Sequence, residues 1–175
     1  GVDPLGLINQ YGADATRFGL IYQTFEGQDM KFSEDNILMG KKFANKIWNA
    51  SRFVLGQINK TKITGQLPKK LSPADKRILK QLAITTKKVT KDLENFRFGQ
   101  AAHLLYDFFW HDFCDKYIEV SKKQNTAQTN QVLAYLLSNS LKLLHPFMPF
   151  VTETIYQKLP FKEKEFLMIE DWPEC

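Results

Sequence analysis

Apolar residues recur along most of the chain at spacings of three and four positions, the period of an α-helix that buries one face. Glycine, proline and short polar clusters interrupt this pattern. It predicts helices at about residues 4–11, 13–25, 34–59, 73–94, 100–123, 129–144 and 150–159. Only residues 166–169 resemble a short strand. The predicted fold class is therefore all-α.

Several of these helices carry start signals in the sequence. Asp3 stands before Pro4, which combines an N-cap carboxylate with proline at the first helical position. Ser33 precedes two acidic residues that suit the positive end of a helix. Residues 72–75 read Ser-Pro-Ala-Asp, a capping serine with proline at the first position and an acid at the third. These signals locate the helix starts.

The order of the helices predicts an antiparallel bundle with a short helical lead-in. We expect the lead-in at residues 1–32 and the bundle at residues 33–175. A basic linker at 61–71, with Gly65 and Pro68, separates the first long helix from the next. The chain has 175 residues, enough for one domain with its own core.

The helix predicted at 34–59 has two different faces when its residues are placed at 100° intervals. The arc predicted to face the core contains Ile37, Gly40, Ala44, Ile47, Trp48, Ser51, Val54, Leu55 and Ile58. The opposite arc contains three cations, two amides and one aromatic ring: Lys42, Asn45, Lys46, Asn49, Arg52 and Phe53.

That opposite arc has two interpretations. An aromatic ring among cations and amides suits an unstacked RNA base, since the ring stacks, the cations neutralise phosphate and the amides read base edges. Alternatively, the arc is a solvated face, and a neighbouring helix of the bundle covers Phe53. The pattern of residues leaves both interpretations open.

The helix predicted at 100–123 is apolar around most of its circumference, which indicates a central position. Asp107, His111 and Asp115 form a straight ladder along one edge. Such a ladder spreads over about 12 Å and cannot close around one metal ion, so a stabilising His–Asp pair is expected instead. His103 and His145 are interpreted as structural, and Cys114 as a small buried hydrophobe.

Charge is distributed unevenly within a net charge of +5. Residues 31–70 contain nine lysines and arginines against two acids, a local charge of +7, whereas the last fifteen residues carry −3. This separation is expected of a surface that faces phosphate. With 43% hydrophobic and 13% aromatic residues, the chain is not a disordered basic tail.

Several functional classes lack their sequence signature. The two cysteines, Cys114 and Cys175, define neither a disulfide framework nor a metal spacing, so a cytoplasmic location is expected. No apolar run approaches the ~20 residues of a membrane span. The sequence has no glycine-rich phosphate loop, no Ser/His/Asp set and no metal-ligand cluster, so we expect no catalytic residue, metal or cofactor here. Because it lacks an initiator Met, we expect it to come from the middle of a longer protein.

Several segments of the chain have a recognisable wording, beginning with residues 11–18, YGADATRF. They resemble the YGADALRF stretch that follows the KMSKS loop of class I aminoacyl-tRNA synthetases, although Thr16 replaces the usual Leu at a packing position. The preceding residues 2–4 resemble the (V/I)DP that trails this loop. Residues 27–35, GQDMKFSED, resemble the GQDIKFSED of valyl enzymes, and residues 43–53, FANKIWNASRF, resemble their FANKLWNASRF.

Two further segments extend the resemblance over nearly the whole chain. Residues 106–119 match a YxFxWxxFCDxYIE pattern, and residues 145–153 match HPFMPFVTE. The order of the segments is that of the family. The valyl type is favoured over the isoleucyl and leucyl types by Gly27-Gln28-Asp29 and by Asn45-Lys46.

The resemblance implies a helical domain that grips the anticodon stem-loop of a valine tRNA within an ATP-dependent, Mg²⁺-requiring valine–tRNA ligase. Phe53 would stack on an anticodon base, and Lys31, Lys42, Lys46 and Arg52 would contact the loop. Asn45 and Asn49 would supply hydrogen bonds. The lead-in would contact the tRNA stem and join the bundle to the parent's catalytic domain. We expect neither DNA nor a membrane as a partner.

Two alternatives remain beside this function. An isoleucyl or methionyl identity would keep the fold and change the anticodon that is read. A purely structural bundle would dock the catalytic domain while other parts of the enzyme grip the RNA.

Overall fold

The computed structural model describes residues 2–25, 27 and 31–174. These residues form helices and no strand. In chain order the helices are α1 (Pro4–Tyr11), α2 (Ala13–Tyr22), α3 (Glu34–Ile58), α4 (Pro73–Glu94), α5 (Phe98–Tyr106), a π-helical segment (Asp107–Ile118), α6 (Glu119–Gln124), α7 (Ala127–Leu144) and α8 (Pro149–Tyr156). The predicted all-α fold is confirmed. The strand considered at residues 166–169 is wrong, because a 3₁₀ turn (Leu167–Ile169) lies there.

The helix starts use the predicted caps in two of three cases. The Asp3 carboxylate accepts the N–H groups of Leu5 and Gly6 at 3.0 and 3.1 Å. Ser72 and Asp75 form a reciprocal capping box, with distances of 3.1 and 2.8 Å. Ser33 holds the N-cap position of α3, but its hydroxyl makes no capping bond. Its backbone N–H instead donates to Gln23 Oε1 at 2.7 Å.

The helix predicted at 100–123 is continuous from α5 to α6 but contains the π-helical segment in its middle. In a π-helix each N–H bonds to the carbonyl five residues back, which widens the turn and changes which side chains share a face. Phe108, Phe109, Phe113 and Tyr117 are all buried there. The prediction that this helix is central is confirmed, and α7 joins it as a second helix buried on most sides.

The lead-in packs directly on the bundle. A Cβ at Gly40 of α3 would come within 2.5 Å of the Ala15 carbonyl oxygen of α2, so the two backbones touch. The Asp14 carboxylate accepts the N–H groups of Phe150 and Val151 at 3.1 and 2.6 Å and thereby caps α8. Arg17 donates to the Pro146 carbonyl at 2.9 Å. A boundary near residue 32 stays a prediction.

Candidate nucleic-acid interface

Beyond its first turn, the outward face of α3 carries no negative charge. No Asp or Glu occurs between residues 36 and 74. Lys42, Asn45, Asn49 and Arg52 are exposed, and none of their side chains pairs with another residue in the part of the chain that the structure describes. Four of the predicted site residues therefore lie together on an unoccupied polar surface, spread over about 15 Å of helix.

The buried side of α3 is rotated relative to the sequence prediction. The buried residues are Ile37, Gly40, Phe43, Ile47, Ala50, Ser51, Val54 and Ile58. Three residues assigned to the core arc, Ala44, Trp48 and Leu55, are only half-buried. The centre of burial is displaced by roughly 30–40° toward Phe53. The π-helical segment and α6 pack on that side, and the periodicity of α3 carries no information about them.

Lys46 lies at the edge where α3 meets the π-helical segment. Its Nζ is 2.8 Å from Asp115 Oδ1 and 5.0 Å from the centre of the Trp110 ring. Because Lys46 donates a hydrogen bond to it, the pKa of the Asp115 carboxyl is held below its usual value. His111 reaches the same carboxylate at 3.3 Å, which is the predicted His–Asp pair. Lys46 is therefore not a free cation, in contrast to Arg52.

The surroundings of the Phe53 ring have features of both interpretations. It is half-buried and packs against the core. The Nζ of Lys122, from α6, lies 5.4 Å from the ring centre and also pairs with Glu119 at 2.6 Å. A neighbouring helix thus contributes a cation to this ring. No sequence pattern marks Lys122 as a site residue, because its closeness to Phe53 depends on where α6 lies relative to α3.

Lys31 is not brought together with the other predicted site residues. It is exposed and lies three residues before α3 begins. Phe53 is nineteen residues into this helix, so about 28 Å of helix separates it from the helix start that Lys31 precedes. Both cannot touch one nucleotide. Residues 28–30, which include part of the Gly27-Gln28-Asp29 block, lie outside the described residues.

The remaining candidates are held inside the fold. His103 Nε2 is 2.9 Å from the Tyr22 carbonyl, and His145 Nδ1 is 2.8 Å from Thr152 Oγ1. Both have the predicted structural role. Cys114 is buried, and burial raises the pKa of its thiol to about 12. It packs as a hydrophobe and is not a reactive thiolate at neutral pH.

The part of the chain that the structure describes contains no group of three side chains suited to a metal ion. None of its helices is both long and apolar enough to cross a membrane.

Curated relatives that match the chain are valine–tRNA ligases. The one from Thermotoga maritima is 48% identical over 181 residues, and the one from Bacillus cereus is 45% identical over 185 residues. Each alignment covers 99% of this chain and 20% of the relative. The relative from Aquifex aeolicus is 40% identical over 194 residues, with 99% and 16% covered. The chain thus spans about a fifth of the length of these relatives.

Solved structures share the fold at low sequence identity. A LeuRS from Agrobacterium radiobacter K84, in a ternary complex with tRNA and LeuAMS, has a TM-score of 0.79 and 20% identity, covering 99% of this chain and 21% of that one. Methionyl-tRNA synthetase of Mycobacterium tuberculosis has a TM-score of 0.70 and 20% identity, covering 88% and 34%.

A family model matches most of the bundle. The model of the anticodon-binding domain of tRNA ligase matches residues 75–175, more than half of the chain. The match includes the π-helical segment and α6, which supply Asp115 beside Lys46 and Lys122 beside Phe53. The chain belongs to the family of anticodon-binding domains of tRNA ligases.

Proposed function

We propose that the chain binds the anticodon stem-loop of a valine-accepting tRNA as part of a valine–tRNA ligase. The relatives at 40–48% identity over 99% of the chain support the valyl assignment. In this proposal the parent enzyme, in the cytoplasm, uses ATP and Mg²⁺ to join valine to tRNA in a catalytic domain outside this chain. We assign the chain itself no cofactor and no catalytic residue.

The observation that carries the proposal is the unpaired polar face of α3. Lys42 and Arg52 have no carboxylate partner among the described residues, and Asn45 and Asn49 keep their amides free. An RNA backbone supplies the missing negative charge, and unstacked loop bases supply partners for the amides. Beyond Asp35 the helix carries no acidic residue, and a face that served only to be solvated has no reason to exclude them.

At the edge of this face, the Phe53 ring provides a stacking surface for a base. Lys122, 5.4 Å from the ring centre, stands where it can neutralise the phosphate of the stacked nucleotide. The Lys46–Asp115 pair, about two turns before Phe53 along α3, offers both a donor and an acceptor to a base edge. In this arrangement Lys46 orients Asp115 and contacts the loop through its remaining protons.

The lead-in of residues 1–32 is assigned to the tRNA stem and to the connection with the catalytic domain. Lys31 fits a stem contact better than a loop contact, since it precedes the start of α3, and about 28 Å of helix lies between that start and Phe53. Asp14 and Arg17 fasten the lead-in to α8 and to the turn before it. A lead-in fixed in this way would hold the bundle in a defined position relative to the catalytic domain of the parent enzyme.

The test is binding of the chain to a valine-anticodon stem-loop beside the same hairpin with a scrambled loop. Micromolar or tighter binding that weakens with added salt is expected for the first hairpin. Phe53→Leu keeps apolar packing but removes the aromatic face, and should cost ~1–3 kcal/mol of binding. Thermal melting of both proteins checks that the fold is intact. Equal affinity of the Phe53→Leu variant and the parent would contradict the stacking role.

The alternatives give different results in related assays. A panel of hairpins with isoleucine and methionine anticodons separates the valyl identity from the other two. Full-length enzyme with Lys46→Ala and Arg52→Ala that charged tRNA at a normal rate would favour a structural bundle that only docks the catalytic domain.

A further inference from the structure

The outer face of α4 carries a continuous stripe of positive charge. When the residues of α4 are placed at 100° intervals, its exposed cations fall within an arc of about 120°, opposite the buried Ile78, Leu82 and Val89. The stripe extends along about 22 Å of helix. The members of this α4 stripe are Lys76, Arg77, Lys80, Lys87, Lys88 and Lys91.

Acidic residues are almost missing from the part of the chain that contains the stripe. Residues 36–91 include fourteen lysines and arginines and a single acid, Asp75, whereas the other residues include ten lysines and arginines and eighteen acids. Asp75 is buried on the inner side of α4, where its carboxylate accepts the Ser72 N–H and the Tyr117 hydroxyl. No acid of this segment therefore faces the α4 stripe.

The cations of the α4 stripe are unpaired, in contrast to other exposed cations of the chain. Lys116, for example, pairs at 2.7 Å with Asp112, four residues before it. No cation of the stripe makes a salt bridge or a side-chain hydrogen bond with the residues that the structure describes. Like charges stand four residues apart instead, as in Lys87 and Lys91, and such pairs destabilise a helix. A face that is only solvated gains nothing from this repulsion.

The α4 stripe lies on the other side of the bundle from the polar face of α3. Helix α3 packs against α7 and the π-helical segment, and α4 packs against the same two elements. These two elements therefore lie between α3 and α4, and the outward faces of α3 and α4 point in opposite directions. A stem-loop bound to α3 leaves the α4 stripe uncovered.

The residue types of α4 favour one class of partner. Five of the six cations are lysines, α4 contains no aromatic residue, and Ile84 is the one large apolar residue within the arc. Single-stranded nucleic acid is bound through aromatic stacking, protein interfaces are depleted in lysine, and helices that lie on membranes insert apolar side chains. Lysines without such neighbours suit the phosphates of an RNA duplex, which is recognised mostly by its shape and backbone.

We propose that the α4 stripe binds the phosphate backbone of a double-stranded segment of a second RNA, without reading its sequence. This inference goes beyond the function proposed above, because it concerns a surface that the stem-loop on α3 does not occupy. The chain then has two RNA-binding faces of different kinds. The α3 face offers amides and a ring to loop bases, and the α4 stripe offers charge alone.

The experiment measures binding of the 175-residue chain to a fluorescent RNA duplex of about 20 base pairs, unrelated in sequence to tRNA. Fluorescence anisotropy is recorded at several salt concentrations. The parent chain should bind with a Kd of about 1–100 µM at physiological salt, and more weakly as salt is added. Absence of binding by the parent would overturn the proposal.

The test variant replaces three exposed lysines of the α4 stripe together: Lys80→Gln, Lys87→Gln and Lys91→Gln. Its affinity for the duplex should fall about tenfold or more, and the slope of log affinity against log salt should decrease by about 3, one for each lost phosphate contact. The melting temperature should not fall, since all three side chains are exposed and unpaired in the described structure.

A matched control replaces three exposed lysines outside the stripe: Lys123→Gln, Lys162→Gln and Lys164→Gln. It changes the net charge by the same amount and should bind the duplex as the parent does. If the stripe variant and this control bind the duplex equally well, the effect of the stripe is no more than that of net charge, and the proposal is wrong.

Binding to the valine-anticodon hairpin and to its scrambled form separates this proposal from the proposed function. The stripe variant should keep the preference of the parent for the valine hairpin. The Lys42→Ala and Asn49→Ala double variant should lose affinity for that hairpin and keep its affinity for the duplex. If the parent shows no preference between the hairpins while the stripe variant alone loses the duplex, the proposed function is wrong and the stripe proposal stands.

Two further probes test the choice of partner. Poly-glutamate represents an acidic protein segment, and vesicles that contain phosphatidylserine represent an anionic membrane. Both should bind the parent more weakly than the duplex does. Tighter binding of either probe, lost in the stripe variant and kept in its control, would overturn the assignment of the α4 stripe to RNA.

Discussion

The two segments that most resemble the synthetase family, residues 11–18 and residues 43–53, use their polar side chains in opposite ways. In the first, Asp14 caps α8 and Arg17 holds the Pro146 carbonyl. In the second, Lys46 pairs with Asp115, but Asn45, Asn49 and Arg52 make no side-chain hydrogen bond or ion pair with the described part of the molecule. Both segments are equally recognisable as family sequence.

This difference shows that a family motif can serve either the packing of the fold or the binding of a partner, and that its sequence does not tell the two roles apart. Asp14 and Arg17 of the first segment are satisfied by backbone groups far away in sequence, so their role is to fix the lead-in against the bundle. Asn45, Asn49 and Arg52 of the second are left for a partner. Satisfaction of hydrogen bonds, which only the tertiary structure reveals, separates an architectural motif from a binding motif.

The largest expected effect concerns the packing of the lead-in. Gly40→Ala should destabilise the fold by ~2 kcal/mol or more, because its Cβ would lie 2.5 Å from the Ala15 carbonyl oxygen. Gly56→Ala on the same helix has nothing within 4 Å and should stabilise by ~0.5–1 kcal/mol. Denaturant unfolding of the two variants measures both. Equal stabilisation by both would mean that α2 does not sit tightly on α3.

The next effect tests the architectural role of Asp14. Asp14→Ala should cost ~1–2 kcal/mol of unfolding free energy, because the first N–H groups of α8 lose their carboxylate. Asp107→Ala, which removes an exposed carboxylate, serves as the control in the same unfolding assay. At a temperature where both proteins are folded, their affinities for the stem-loop should be equal. Loss of RNA binding alone, with stability unchanged, would make Asp14 a binding residue.

The opposite behaviour is expected on α3. A Lys42→Ala and Asn49→Ala double variant should keep the melting temperature of the parent, since both side chains are exposed and unpartnered. Its affinity for the valine-anticodon stem-loop should fall about 5- to 50-fold, the loss expected for one phosphate contact and one hydrogen bond. Filter binding or fluorescence anisotropy at fixed salt measures this. An unchanged affinity would remove the outer face of α3 from the interface.

The smallest effect is a pH dependence in the turn that Arg17 holds. Burial lowers the pKa of His145 below its usual 6.5, so the unfolded chain binds a proton more readily than the folded one. Its contribution to stability is complete above pH 6.5 and is lost as the pH falls below that value. The melting temperature should drop slightly between pH 7 and pH 5, and less in His145→Gln. The lowered pKa values of Asp115 and Glu170 act only below about pH 4.5. A steeper drop in His145→Gln would contradict this assignment.

The sequence by itself determined the helices, most of their starts and the family. Periodicity and capping are local properties, so the bounds of α1, α3 and α4 were predicted to within one residue. The helical wheel of α3 correctly predicted which polar residues are exposed: Lys42, Asn45, Asn49 and Arg52. These results depend on neighbours a few positions away along the chain.

Only the tertiary structure decided what covers each edge of α3. In the structure, the buried side of α3 is rotated toward Phe53, Lys46 is paired with Asp115, and Lys122 lies near the Phe53 ring. It also turned the middle of the helix predicted at 100–123 into a π-helical segment. The physical reason is that a helix shows its own amphipathic face in its sequence, whereas the position of a neighbouring helix against that face depends on the packing of the whole core.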